Sequence, residues 1–263
     1  MSNELSKNAS ELLTNIRDKG PLVWNFSNFV SMDIAANALL SIGASPAMAH
    51  AKEESKDFIE ICKAINGALT INIGTFDQYW QECALEAAKH ANENNIPWVL
   101  DPVGAGASSF RNKNVEELIK FKPTVLRGNG SEIMAVAGLS VGGKGVDSTS
   151  TSNEALDAAI SIALQNNIIV AITGVTDYVT DGNVIYAVEG GHEMMTKVTA
   201  TGCALSCLIG AAITVDGDKA ISTASMIGIY GLAGEMAIKI SQGPGSLRMN
   251  LLDKLYNISR DEI

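Results

Sequence analysis

Apolar runs of strand length alternate with helical patterns through the first two-thirds of this chain. No other feature limits the fold as much. Strand candidates are Pro21–Phe26, Ala68–Ile73, Trp98–Val103, Thr124–Gly128, Ile168–Thr173, Tyr178–Thr180 and Val184–Val188. Helical patterns fall between them at Met32–Ile42, Ser55–Asn66, Gln78–Asn94 and Asn153–Asn166. Several strands, Ile168–Ile172 among them, are apolar on both faces, which suits a sheet covered on both sides. Such alternation predicts an α/β layered fold with a mostly parallel sheet. An Asp181-Gly182 turn between two short strands predicts a closing hairpin. Beyond Ala200 the pattern is helical only: Cys203–Thr214, Lys219–Ser241 and Leu247–Asn257. No repeat, low-complexity tract or linker interrupts the chain, so residues 1–263 are expected to form one domain.

The net charge of −10 argues against nucleic acid or an anionic membrane surface as partner, since both need basic patches. A phosphate ligand remains compatible, because backbone amides and one or two basic side chains suffice locally. The start, MSNELSKNASELL, reads as polar and helical rather than as a secretory signal. The longest apolar runs carry Gly, Thr or Ser and are expected to fall short of a membrane span. Cys62, Cys83, Cys203 and Cys207 show no metal-ligand spacing and are read as reduced thiols of a cytosolic protein.

Ligands of open α/β sheets bind beyond the carboxyl ends of strands. Four such ends carry chemistry. The first strand leads into Asn25-Phe-Ser-Asn28 and then Gly43-Ala-Ser-Pro-Ala-Met48, where amides and a Met suit a small, neutral, partly apolar heterocycle. Core packing is the competing fate of Met48. Strand Trp98–Leu100 ends in Asp101 and a Gly/Ala loop, a place for Mg²⁺ through water or for a simple helix cap. Strand Thr124–Leu126 ends in Arg127-Gly-Asn-Gly-Ser-Glu132. Arg127 can clamp phosphate oxygens; Asn129 and Glu132 can complete a cation's water shell, cap a helix, or do both. Strand Ile168–Ile172 ends in Thr173-Gly174, which can approach a nucleotide phosphate or simply turn into the hairpin.

A fifth segment opens the helical third. Thr199 to Cys203 are small residues running straight into an apolar helix, so unpaired N–H groups there form an anion site. Cys203 is either a polarisable group aimed at that site or ordinary packing. Gly138 to Gly145 nearly matches a P-loop, but Gly145 stands where a Ser or Thr must contact Mg²⁺, and a helix precedes it. Lys144 is left as a weak candidate phosphate contact.

In this order, the segments Pro21–Ala51, Leu100–Arg111, Leu126–Ile133, Gly143–Ser148, Thr173–Gly182, Val198–Ser206 and Gly243–Tyr256 resemble the hydroxyethylthiazole kinase family. The resemblance implies the ribokinase-like fold, three layers with helices on both faces of the sheet. It also implies an ATP-dependent kinase that phosphorylates the hydroxyl of 4-methyl-5-(2-hydroxyethyl)thiazole, with Mg²⁺, in thiamine salvage. The implied molecule is a cytosolic homotrimer. Matched motif by motif, Met48 is a thiazole contact and Asn25 lies in the same pocket. Arg127 and Thr173 become ATP contacts, and Asp101 and Glu132 the Mg²⁺ side. Ala200 falls at a substrate contact where many relatives have Gly, and Cys203 where other ribokinase-like enzymes carry a catalytic Asp.

Overall fold

The computed structural model describes residues 2–138, 148–215 and 217–263. Strands β1 (Leu22–Phe26), β2 (Ser45–Ala47), β3 (Ala68–Asn72), β4 (Trp98–Asp101), β5 (Val125–Asn129), β6 (Ile169–Thr173), β7 (Thr176–Thr180) and β8 (Ile185–Glu189) form one sheet. Its order is β2-β1-β3-β4-β5-β6-β7-β8. The pairs from β2 through β6 are parallel; β7 and β8 run antiparallel, as the Asp181-Gly182 hairpin predicts.

One face is covered by α1 (Asn3–Lys19), α2 (Met32–Ile42), α8 (Thr201–Ala212), α9 (Lys219–Ile238) and α10 (Pro244–Asn257). The other is covered by α3 (Ser55–Ile65), α4 (Gln78–Glu93), α5 (Ser109–Ile119), α6 (Gly130–Val136) and α7 (Ser148–Asn166). Strand parity explains the split. Val23, Val99, Val125 and Ala171 point to the face that α8 and α9 cover, whereas Trp24, Leu100, Leu126 and Val170 face the opposite helices.

Two elements differ from the sequence reading for local reasons. The Gly43–Met48 stretch holds a three-residue strand, β2, rather than only a turn. Pro46 is tolerated because β2 lies at the sheet edge. The α5 helix escapes pattern reading because its apolar face is sparse; only Asn114, Val115 and Leu118 are buried. A third difference concerns length. At 20 residues, α9 is long and apolar enough to cross a membrane, contrary to expectation, but most of it is buried beneath α1, α8 and α10. Lys144 lies outside the described residues.

The helix that matters most is α8. It is short, apolar and lined with small residues four apart, so it can lie close on the sheet. A Cβ on Gly210 would meet Thr70 Cγ2 at 2.6 Å, and Ser206 Oγ reaches Asp101 Oδ2 at 2.8 Å. Gly202, one further turn up, lies against Arg127. This stripe leads the helix start to the carboxyl ends of β4 and β5.

Candidate active site

Parity aims the polar strand ends at that helix start. Asn72, Asp101 and Arg127 lie two residues on from Thr70, Val99 and Val125, hence on the face of α8. Thr173 follows Ala171 by the same rule. Asp101 is 1% exposed and Arg127 8%. The Arg127 guanidinium donates from Nη2 to Thr173 Oγ1 at 2.5 Å, and its Nη1 stands 4.0 Å from Asp101 Oδ2. The structure thus brings Asp101, Arg127, Thr173 and Cys203 to one corner, over the first turn of α8.

That turn presents its amides without a side-chain cap. Ala200 occupies the N-cap position and supplies no side-chain hydrogen bond, and the first turn holds no acidic residue. Nothing on the helix itself therefore competes with an anion there. Tyr230 donates its hydroxyl to the Thr201 carbonyl at 3.0 Å, bracing the turn from α9.

Ala200 adopts φ 63° and ψ 12°, the left-handed region that disfavours a Cβ. Ala200→Gly is expected to stabilise the protein by about 1 kcal/mol, a rise of roughly 2–4 °C in Tm for a chain of this size. Calorimetry checks it; an unchanged Tm would mean that the surroundings relieve the strain.

Burial dominates the electrostatics. It holds Asp101 up at about 6, with Glu132 adding to the rise and Arg127, Ser206 and Asn72 acting against it. Asp177, which accepts from the Gly174 amide at 2.8 Å, is also held at about 6 by burial. The Cys203 thiol is pushed above its ordinary value, first by burial and then by the Asp101 charge. A helix start by itself lowers a thiol's value; here desolvation and the acidic neighbour outweigh it.

A raised carboxylate has a definite sign in stability. Between the unfolded value of 3.8 and about 6, the native state binds more protons than the unfolded chain. Stability is therefore lost as pH rises through that window. Asp101→Asn removes this share, so its urea midpoint should drop less than the parent's between pH of about 4 and about 7. Identical drops in both proteins would show that Asp101 does not titrate there.

Glu132 is a strut as well as a candidate ligand. Its Oε1 accepts from the Gly104 amide and its Oε2 from the Asn129 amide, each at 2.9 Å. Asn129 Oδ1 accepts in return from the Glu132 amide at 2.9 Å, closing a capping box on α6. The capping reading of the Asn129/Glu132 pair is the one this geometry displays: the cap ties the loops after β4 and β5 together beside Asp101.

Residues 13–261 match the model of the hydroxyethylthiazole kinase family. A hydroxyethylthiazole kinase of Rhizobium rhizogenes is 47% identical over 253 residues, covering 96% of this chain and 93% of that one. The hydroxyethylthiazole kinase of Arabidopsis thaliana is 43% identical, covering 99% and 94%. This chain belongs to the hydroxyethylthiazole kinase family. The solved hydroxyethylthiazole kinase of Pyrococcus horikoshii superposes with a TM-score of 0.89 at 40% identity, covering 98% of this chain and 96% of that one. A Bacillus subtilis pyridoxal kinase, at 15% identity and a TM-score of 0.60, shares the fold alone. A ribokinase-like superfamily protein of Enterococcus faecalis does the same at 0.66. The hydroxyethylthiazole kinase family is thus carried here on the expected three-layer, ribokinase-like α/β architecture.

Not every residue singled out in the sequence of this hydroxyethylthiazole kinase family member reaches the corner. Asn25 is 1% exposed. Its amide is consumed by the Val23 carbonyl and the Thr70 hydroxyl, both at 2.6 Å, within the layer beneath α8. Met48 is half-buried just past the end of β2, packed against the core on the α8 face. Two residues at the corner escaped the sequence reading, Asn72 and Ser206; Asn28, read among the amides after the first strand, reaches it. Asn72 ends β3 as Asp101 ends β4, and Ser206 sits between Gly202 and Gly210 at four-residue spacing. Those were the available signals. Arg111 also went unread; it donates to the carbonyls of Ile73, Val103 and Gly74 and locks the loops after β3 and β4.

Proposed function

We propose that this chain transfers the γ-phosphoryl group of ATP to the primary hydroxyl of 4-methyl-5-(2-hydroxyethyl)thiazole, a thiamine-salvage step. The observation that supports it best is the convergence of Asp101, Arg127, Thr173 and Cys203 on an uncapped helix start, in a chain of this family. In this reading Arg127 and Thr173 hold ATP, and the amides of Thr201 to Cys203 receive the transferring group. Ala200 and Met48 line the thiazole side. Asn25 supports that pocket from below through Thr70 rather than touching ligand. The working molecule is read as a cytosolic homotrimer acting on small molecules, with neither nucleic acid nor membrane as partner.

Mg²⁺ fits the donor set in one respect. Asp101 Oδ1 is buried and takes no hydrogen bond, whereas Oδ2 takes two. Asp101 would hold the ion through that one oxygen and Glu132 through water, since both Glu132 oxygens already accept from amides. Mg²⁺ commonly keeps several waters and takes one or two carboxylates plus substrate phosphates. When bound, it supplies neutralisation of phosphate charge.

The alcohol attacks in line through a loose, anionic transition state, so positioning and charge neutralisation supply most of the rate. Arg127 and the α8 amides meet that charge. The hydroxyl proton leaves late and needs little base. Cys203, held as a thiol by burial, is a weak acceptor. Cys203→Ala should therefore lower kcat by about 100-fold or less, and Cys203→Asp should keep or raise it. A dead Cys203→Asp beside a normal Cys203→Ser would overturn the base assignment. The activity itself is tested by incubating the purified chain with ATP, Mg²⁺ and the thiazole alcohol and following ADP and the phosphorylated thiazole. No phosphorylated thiazole, or preferential turnover of pyridoxal, would refute it.

A further inference from the structure

Behind the corner lies a line of side-chain amides whose orientations leave no choice. Asn28 and Asn72 are both buried, at 5% exposure. Asn28 Oδ1 accepts from the backbone amides of Val30 and Ser31, each at 3.0 Å. A flipped amide would set its NH₂ against two N–H groups. Asn28 Nδ2 must therefore face inward, where it donates to Asn72 Oδ1 at 2.8 Å and to Cys203 Sγ at 3.4 Å. Asn72 Oδ1 also accepts from the Gly74 amide at 2.9 Å, which turns its Nδ2 onto Asp101 Oδ2 at 2.8 Å. Ser206 Oγ donates to the same oxygen at 2.8 Å. The surroundings allow little movement: a Cβ on Gly74 would meet Asn28 Nδ2 at 2.7 Å and Cγ at 3.0 Å.

We propose that Asn28 and Asn72 are positioning residues for phosphoryl transfer: a one-way carboxamide bridge that sets the Cys203 thiol and the Asp101 carboxylate relative to each other. Backbone amides fix the bridge at two points, and its donors fix the chemical groups. It engages Asp101 only at Oδ2, so Oδ1 alone is presented to the site. It holds the Cys203 sulfur as an acceptor on its inner side, so the thiol hydrogen points elsewhere. The proposal rests on the function given above.

A double-mutant cycle tests it. Asn28→Asp keeps the oxygen that accepts from Val30 and Ser31 but replaces the donating NH₂ with an acceptor. In the active parent it should lower kcat by about 100-fold, the cost of a misplaced reacting group, with both KM values close to the parent's. Combined with Cys203→Ala, the loss should match the worse single variant to within about twofold. Losses that multiply would overturn the bridge, as would a rise in KM at unchanged kcat. Should circular dichroism show Asn28→Asp unfolded, Asn72→Ser takes its place, with the same kcat and KM expectations. Its hydroxyl is too short to reach Asp101 while β3 keeps its backbone pairing. A Cys203→Ala enzyme as fast as the parent also refutes the bridge. A parent inactive on the thiazole alcohol refutes the function itself, so the two failures are separable.

Discussion

Arg127→Ala should reduce kcat/KM for ATP by about 1,000-fold while KM for the thiazole alcohol changes little. The side chain has no substitute. Its guanidinium lies between the Asp101 carboxylate, the Thr173 hydroxyl and the first turn of α8, and its Nε takes no protein partner. A buried fork with an unspent N–H is suited to the oxygens of a transferring phosphoryl group. Truncation also strips the nearby cation from the buried Asp101, and breaking such a pair can cost about 3–5 kcal/mol of stability. Arg127→Lys separates the two effects: it keeps the charge but loses the planar fork. Steady-state kinetics with each substrate varied in turn decide the matter. Equal rises in both KM values would mean that Arg127 holds the fold and not the nucleotide.

Gly202→Ala should leave a folded protein, gain up to about 1 kcal/mol of helix propensity, and still lose about 100-fold in kcat/KM. The reason is one contact. A Cβ on Gly202 would stand 2.8 Å from Arg127 Nη1 and 3.1 Å from Nη2. What must yield is the tip of a side chain, not backbone, so the fold survives. The tip is the proposed phosphate clamp, so activity does not. Thermal unfolding and kinetics on the same preparation read both sides. A variant as active as the parent would show that Arg127 has room to move, and would remove the close-approach argument for Gly202. Opposite signs in stability and rate are what set this substitution apart from ordinary damage to packing.

Much of the architecture was legible in the residues. Two-faced apolar strands such as Ile168–Ile172 told of a sheet covered on both sides, and Asp181-Gly182 told of the hairpin. Elements whose signal is weak went unread. The β2 strand is three residues with a Pro, stabilised by pairing with β1 and not by its own propensity. The α6 helix follows directly on β5, and its cap was visible while its length was not.

The site divides along the same line. Asp101, Arg127 and Thr173 were readable because a polar strand end running into a Gly-containing loop is a local pattern, and such patterns survive in one dimension. Asn72 and Ser206 were not, because their importance arises from contacts spanning 29 and 105 positions in the chain; Asn28 was legible as an amide of the first strand end, but its partner 44 positions on was not. The Cys203 thiol shifts opposite to what a helix start alone imposes for a related reason: the helix start is written in the chain, but the burial and the Asp101 charge beside the sulfur are not. Short-range order alone dictated which strand ends carry polar groups, and the period of two dictated the face on which they sit. How closely α8 rides on that face, and hence which groups touch, depended on small side chains meeting across the finished sheet. Distances of that kind exist only after distant segments have packed.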